Sequence, residues 1–169
     1  MWAGACDLYL QENYPLATFL SILVIEEVGK LTNLFTDLLL FDIERPIPRS
    51  VDDNHKRKQL IGVFSSALVN SRLDRVLGFD TVRKLLNIAQ SNSLEKLRQD
   101  CLYIGIHDGR ATTPRKRIDP ERAKLFTVFA GEVMAEVLGH FPWEFERMLD
   151  SLIAFERSIG MPENKIERR

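Results

Sequence analysis

Cysteine is scarce in this chain: Cys6 and Cys101 are the only two among 169 residues. Two thiols this far apart cannot staple a fold, and without a secretory leader they read as reduced thiols of a cytoplasmic protein. No leader is expected, because the opening segment MWAGACDLYLQENY lacks a basic stretch followed by a long apolar run. Histidine is as thin, at three residues, and no four ligands have zinc spacing. Glu26, Glu27 and His55 could in principle share a cation, but they lack the Glu-x-x-His pair of helix-bundle metal sites, so neither metal nor other cofactor is expected. Long hydrophobic runs are missing too. The most apolar stretch, Leu16 to Ile25, is too short to cross a bilayer and runs into Glu26 and Glu27, so no membrane partner is expected. The formal net charge of -1 gives no global field towards nucleic acid, and any such contact has to use local basic patches. Repeats, low-complexity tracts and alternating strand runs bounded by hairpin turns are all absent.

Helical periodicity, by contrast, is present nearly throughout. Hydrophobic residues make up 45% and charged residues 28%, enough for one core of ordinary composition. A first long helix is expected from Pro15 to Asp42, with Pro46 and Pro48 barring its continuation. At 100° per residue, Leu16, Leu20, Leu23, Leu31, Leu34 and Leu38 fall on one face, with Thr18, Ser21, Gly29, Thr32 and Thr36 opposite. A second helix should run from Asp53 to Leu77, its core side carrying Ile61, Phe64, Ala67 and Leu68 and its stop at Gly78. A third region, Asp80 to Ile104, is interrupted at Ser91-Asn92-Ser93. The segment HDGRATTPRKRID reads as the clearest loop. Asp119-Pro120-Glu121 opens a helix to Leu138. A last helix spans Trp143 to Ile159, closed by Gly160 and Pro162, and the ENKIERR tail is expected to fray.

Some charges break this pattern. Glu27 projects into the centre of the first helix's apolar stripe, with Glu26 and Lys30 on its shoulder. A buried charge is costly unless paired. Arg98 shares a face with Leu94, Leu97 and Cys101, which makes it the candidate partner of Glu26 or Glu27 through a bidentate pair. The plain reading is an internal ion pair that fixes helix register; the sharper one is the floor of a functional pocket. Two basic patches remain, His55-Lys56-Arg57-Lys58 and Arg110 with Arg115-Lys116-Arg117. Each is a candidate phosphate contact, against the commoner reading of a solvated helix start and a solvated loop. His55 and Lys58 project away from Ile61, Phe64 and Leu68, and a histidine placed there can serve as acid or base.

The spacing of these residues forms three blocks. YPLATFLSILVIEEVGKLTNL is a helix ending in Glu-Glu-x-Gly-Lys, at Glu26, Glu27, Gly29 and Lys30. His55 and Lys58 come next as His-x-x-Lys. LEKLRQDCLYIGIHDGRATTPRKRI then carries Arg98, the Leu102-Tyr103 pair and Pro114 in a downstream loop. In order and approximate spacing, over about residues 15–140, these blocks resemble the AbiV family of abortive-infection proteins, a branch of the HEPN helical-bundle superfamily.

The resemblance implies an all-α, HEPN-like up-and-down bundle over residues 1–140; outside it, an extra C-terminal helix packed on the bundle and a short tail are expected over 141–169. It also implies a homodimer, with a phage protein as trigger and RNA as candidate partners. Many superfamily members are metal-independent ribonucleases carrying Arg, four to six residues, then His. There the histidine handles the 2′-hydroxyl proton and the arginine stabilises phosphate charge. This chain departs from that motif. Arg98 has no histidine at the right distance, His107 being too far along. Arg49 and His55 have the spacing, but Arg49 follows Pro48 in a Pro-rich loop and not at a helix start. The family's own polar set takes the motif's place: Glu26, Glu27, Lys30, His55, Lys58, Arg98 and Tyr103, with His55 and Arg98 the candidate catalytic pair. Lys56, Arg57, Arg110, Arg115, Lys116 and Arg117 are the nucleic-acid candidates.

Three functions compete on this reading. The first is a phage-defence protein that blocks phage multiplication through protein or RNA interaction, at translation for example. The second is a metal-independent endoribonuclease, and the third a structural bundle without a catalytic site.

Overall fold

The computed structural model describes residues 1–40, 54–69, 71–91, 93–107, 109–138 and 142–162. They form helices α1 (Trp2–Leu10), α2 (Tyr14–Leu40), α3 (His55–Val69), α4 (Ser71–Leu77), α5 (Phe79–Gln90) and α6 (Ser93–Asp100). A short hairpin of β1 (Gly105–His107) and β2 (Arg110–Thr112) comes next, then α7 (Pro114–Arg117), α8 (Pro120–Leu138) and α9 (Pro142–Ser158). The molecule is an all-α bundle, and no described helix is long and apolar enough to cross a membrane.

Local chemistry sets the helix stops. Gly78 and Gly160 take φ values of 85° and 72°, the left-handed conformation that glycine supplies without a Cβ clash. Asp119 Oδ1 accepts the Arg122 N–H at 2.7 Å, as an N-cap should. The second expected helix is covered by two, α3 and α4, and the third by α5 and α6, with α5 ending at Gln90 before the serine-rich interruption.

Three expectations need correction. The sequence pattern offers no element before Pro15, yet α1 is there, with Trp2, Ala5 and Cys6 buried. Its nine residues are too few for a periodic signal to stand out. The HDGRATTPRKRID segment, which reads as a plain loop, contributes to the antiparallel β1–β2 pair, in register Ile106 to Ala111, and then forms α7. Strands of three residues have no room for the alternation by which strands are recognised.

The third correction concerns α2, which α1, α3 and α8 embrace together. Its buried face is Ala17, Thr18, Ser21, Ile22, Ile25, Glu26, Val28 and Gly29, whereas Leu16 and Leu31 are exposed. Of the small residues that a helical wheel assigns to the solvent side, Thr18, Ser21 and Gly29 lie inside. A helix surrounded by helices packs closest where its side chains are smallest. Ser21 Oγ donates to the Ala17 carbonyl at 2.8 Å and lies 3.3 Å from Thr127 Oγ1 on α8. Its polarity is therefore satisfied inside the core. On α3 the buried residues are Lys58, Gln59, Gly62 and Val63, while Ile61 and Phe64 are half-buried. Ala67 and Leu68 side chains lie outside the described residues.

The α2–α3 crossing is tightest at two glycines. A Cβ on Gly29 would overlap the Lys58 carbonyl oxygen and come within 2.8 Å of the Gly62 nitrogen. A Cβ on Gly62 would overlap the Ile25 carbonyl oxygen. The obstacles are backbone atoms, which cannot rotate away. Around this crossing, Ile22, Ile25, Val63, Phe126, Phe129 and Leu152 form the main core. A smaller cluster of Cys101, Ile118 and Ala123, against Tyr14 and Phe19, seats the hairpin region at the start of α2. At the other side, α9 covers α8. Phe155 meets Trp2 and Tyr9 edge-on at 5.9 Å each, and Trp2 Nε1 donates to the Thr127 carbonyl at 2.9 Å.

Gly29→Ala should therefore lower unfolding free energy by about 3 kcal/mol, the upper range for a forced extra methyl. Urea denaturation against wild type measures it; a loss below about 0.5 kcal/mol would mean the helices slide apart freely.

Candidate functional site

The close crossing brings Glu26 on α2 against the first turn of α3. Glu26 is 3% exposed, and both of its carboxylate oxygens are engaged. Gln59 Nε2 donates to Oε1 at 2.6 Å and His55 Nδ1 donates to Oε2 at 2.8 Å. His55 and Gln59 stand one turn apart on α3, so one helical face delivers both donors. Arg98, on α6, brings its Nε within 3.7 Å of Glu26 Oε1. Its guanidinium also grips Glu95 with two bonds, Nε to Oε2 at 2.9 Å and Nη2 to Oε1 at 2.8 Å. Gln99 Nε2 donates to Glu95 Oε1 as well, at 2.9 Å.

These contacts set the electrostatics. The Arg98 hydrogen bonds hold the Glu95 carboxyl below its usual range, with Gln99 and the charges of Arg98 and His55 adding to the effect against burial. The same bonds push Arg98 further up, against its own burial, with Glu26 and Tyr103 contributing through charge. A buried carboxylate is tolerated here because two donors and a cation face it. The arrangement is also a carboxylate–imidazole dyad. An ionised carboxylate only accepts, so the Nδ1–H is fixed towards Glu26 and neutral His55 presents Nε2 as its basic nitrogen. The His55 side chain is 46% exposed, within reach of a ligand from solvent.

The expected pairing of Arg98 with Glu26 or Glu27 thus resolves to Glu26. Glu27 is corrected: it is exposed and sits at the rim of a separate apolar cleft with Val28, Leu31 and Met134. Its neighbour faces the close-packed side because α2 buries its small-residue face. Lys58, projected outwards by the sequence, is 8% exposed, and its own backbone carbonyl is what Gly29 packs on. Lys30 is half-buried, and Tyr103 is 61% exposed, acting on the site through its charge effect on Arg98. Arg49 falls outside the described residues. Glu26 and His55 converge, but Glu27 does not join them. Sequence reasoning missed Gln59 and Glu95, although each sits one helical turn from a residue it singles out.

The basic candidates separate into two groups. Lys56 and Arg57 are exposed at the start of α3, where Asn54 Oδ1 accepts the Arg57 N–H at 3.1 Å. Arg110, Lys116 and Arg117 line a cleft of about 740 Å³ together with Lys96, Asp100 and Arg122. Arg115 is exposed and is not part of its lining. Both thiols are buried, and burial above all pushes each up to about 12, which leaves them inert as nucleophiles.

The described residues form an all-α, HEPN-like bundle in which a polar cluster joins the second helix to the histidine-bearing third. The family model described as AbiV matches residues 1–135, so the chain belongs to the AbiV family of the HEPN superfamily. No curated protein matches the chain, and no solved structure does either. Helix α9 lies beyond the matched residues.

Two substitutions probe the cluster. Glu26→Ala leaves the donors of His55, Gln59 and Arg98 facing a void and should destabilise by about 3 kcal/mol. Glu95→Gln should cost about 1 kcal/mol at neutral pH, the site being partly open to solvent. Because the folded-state pKa of Glu95 is lowered, its contribution is complete above the ordinary carboxylate range and disappears as pH falls through the depressed value. Unfolding curves of wild type and Glu95→Gln should therefore separate at pH 7 and converge once the pH has fallen below that depressed value. A difference unchanged by pH would remove the ion pair as its source.

Proposed function

We propose that this chain is an abortive-infection protein that blocks phage multiplication by binding a protein or RNA target, with translation as the step affected. Membership of the AbiV family supports the defence role. The observation that carries the binding reading is the state of Arg98. Two hydrogen bonds to Glu95 and the nearby charge of Glu26 neutralise it, so it is not poised as the phosphate-stabilising arginine of a nuclease. In this reading a phage product is the trigger, and the working form is a cytoplasmic homodimer. Efficiency of plating over a broad phage panel tests it. Wild type should protect, and His55→Ala or Glu26→Gln, if folded, should protect less. Unchanged plating with wild type across the panel would sink the defence reading.

A second reading is favoured by one specific feature, the Glu26–His55 dyad with its solvent-facing imidazole. An oriented histidine is the group that a metal-independent ribonuclease needs for the 2′-hydroxyl proton. Purified protein incubated with total RNA in EDTA would then yield 2′,3′-cyclic phosphate ends, abolished in His55→Ala. Cleavage that survives that substitution would eliminate His55 as the base.

A further inference from the structure

The cleft between α6, the β1–β2 hairpin, α7 and the start of α8 has a composition that the polar cluster does not use. Among the described residues five cations line it, Lys96, Arg110, Lys116, Arg117 and Arg122, against one carboxylate, that of Asp100. In a chain of formal net charge -1, such a local excess has to be built by the fold. Arg117 is mostly buried, its side chain 13% exposed, and is ion-paired to Asp100. It lies flat on Gly105, where a Cβ would overlap its guanidinium. Its Nε is buried with no hydrogen-bond partner, and an orphaned buried donor in a cationic cleft points to an oxyanion that completes it. Arg122 is held beside it, Nη1 donating to the Arg117 carbonyl at 3.3 Å.

We propose that this cleft binds a compact oligophosphate, of the kind carried by a nucleoside triphosphate or by inorganic tripolyphosphate. Its volume of about 740 Å³ is that of a small-ligand site. Among the described residues no aromatic ring lines it, so they offer no platform on which successive bases of a nucleic-acid strand would stack. Recognition rests on charge density, and clustered phosphates match five converging cations better than a backbone with its charges spread out. The cleft stands apart from His55, which belongs to the other cluster, so phosphate binding here does not depend on what that histidine does.

Isothermal titration of the full chain at low salt tests it, with inorganic tripolyphosphate, ATP, sulfate and a short single-stranded RNA bearing a 5′-hydroxyl as probes. Tripolyphosphate should bind saturably and at least about tenfold more tightly than sulfate. The double variant Arg110→Gln/Lys116→Gln should lose about tenfold or more. Gly105→Ala, which keeps every charge but displaces Arg117, should also weaken binding, separating a shaped site from mere net charge. His55→Ala should bind as wild type does, so a failure of the defence reading leaves this result untouched. Equal affinity for ATP and tripolyphosphate identifies the phosphates alone as the ligand, whereas tighter ATP binding identifies a nucleotide. Absence of saturable binding, equal binding by both variants, or RNA binding tighter than tripolyphosphate would overturn the proposal.

Discussion

Where α2 crosses α3, two glycines let one backbone rest on the other, and that contact decides the positions of the chemically interesting side chains. With Gly29 against the Lys58 carbonyl, Glu26 one turn earlier has no route to solvent and meets the opening turn of α3. The carboxylate is then obliged to find partners, and His55, Gln59 and Arg98 supply them. A wider crossing would admit water and remove the reason for the network. The polar cluster is thus a consequence of main-chain proximity, and its order comes from helices that have little freedom to shift.

Much of the fold can be read from the sequence because it is written in terminators. Asp119-Pro120, Gly78 and Gly160 mark helix ends by backbone chemistry that tertiary packing does not override. The α2 face misleads for a physical reason. A helical wheel ranks faces by hydrophobicity, and Leu16 and Leu31 outrank Thr18, Ser21 and Gly29. Inside a bundle that touches α2 on three sides, closeness of approach matters more than apolar area, and small residues win. That inversion also exchanges Glu26 for Glu27 as the buried acid. Gln59 and Glu95 have a visible signal, the one-turn spacing to His55 and Arg98. Nothing in a single sequence marks which of several equally spaced polar residues will be enclosed. The basic patch of Arg110, Lys116 and Arg117 is legible in the sequence but its cleft is not, since Lys96 and Arg122 join it from helices that flank it in the chain.

The two charged regions have opposite character. Around Glu26 the charges are matched, hydrogen-bonded and largely closed, an arrangement that holds an imidazole at a set angle. Around Arg117 they are unbalanced and open. A protein with almost no net charge has thereby kept a closed cluster of matched charges apart from an open cluster of cations. The two lie on different parts of the bundle, and α6 contributes to both: Glu95 and Arg98 to the first, Lys96 and Asp100 to the second. A rotation of this one short helix would disturb both at once.

The aromatic clasp of Trp2, Tyr9 and Phe155 has a consequence for how the chain acquires its shape during synthesis. Trp2 leaves the ribosome 125 residues before Thr127, whose carbonyl its indole binds, and Phe155 emerges later still. Until α8 and α9 have emerged, α1 has α2 to pack on but lacks the rest of its docking surface. Closure of the core at that end therefore waits for α8 and α9, which carry Thr127 and Phe155.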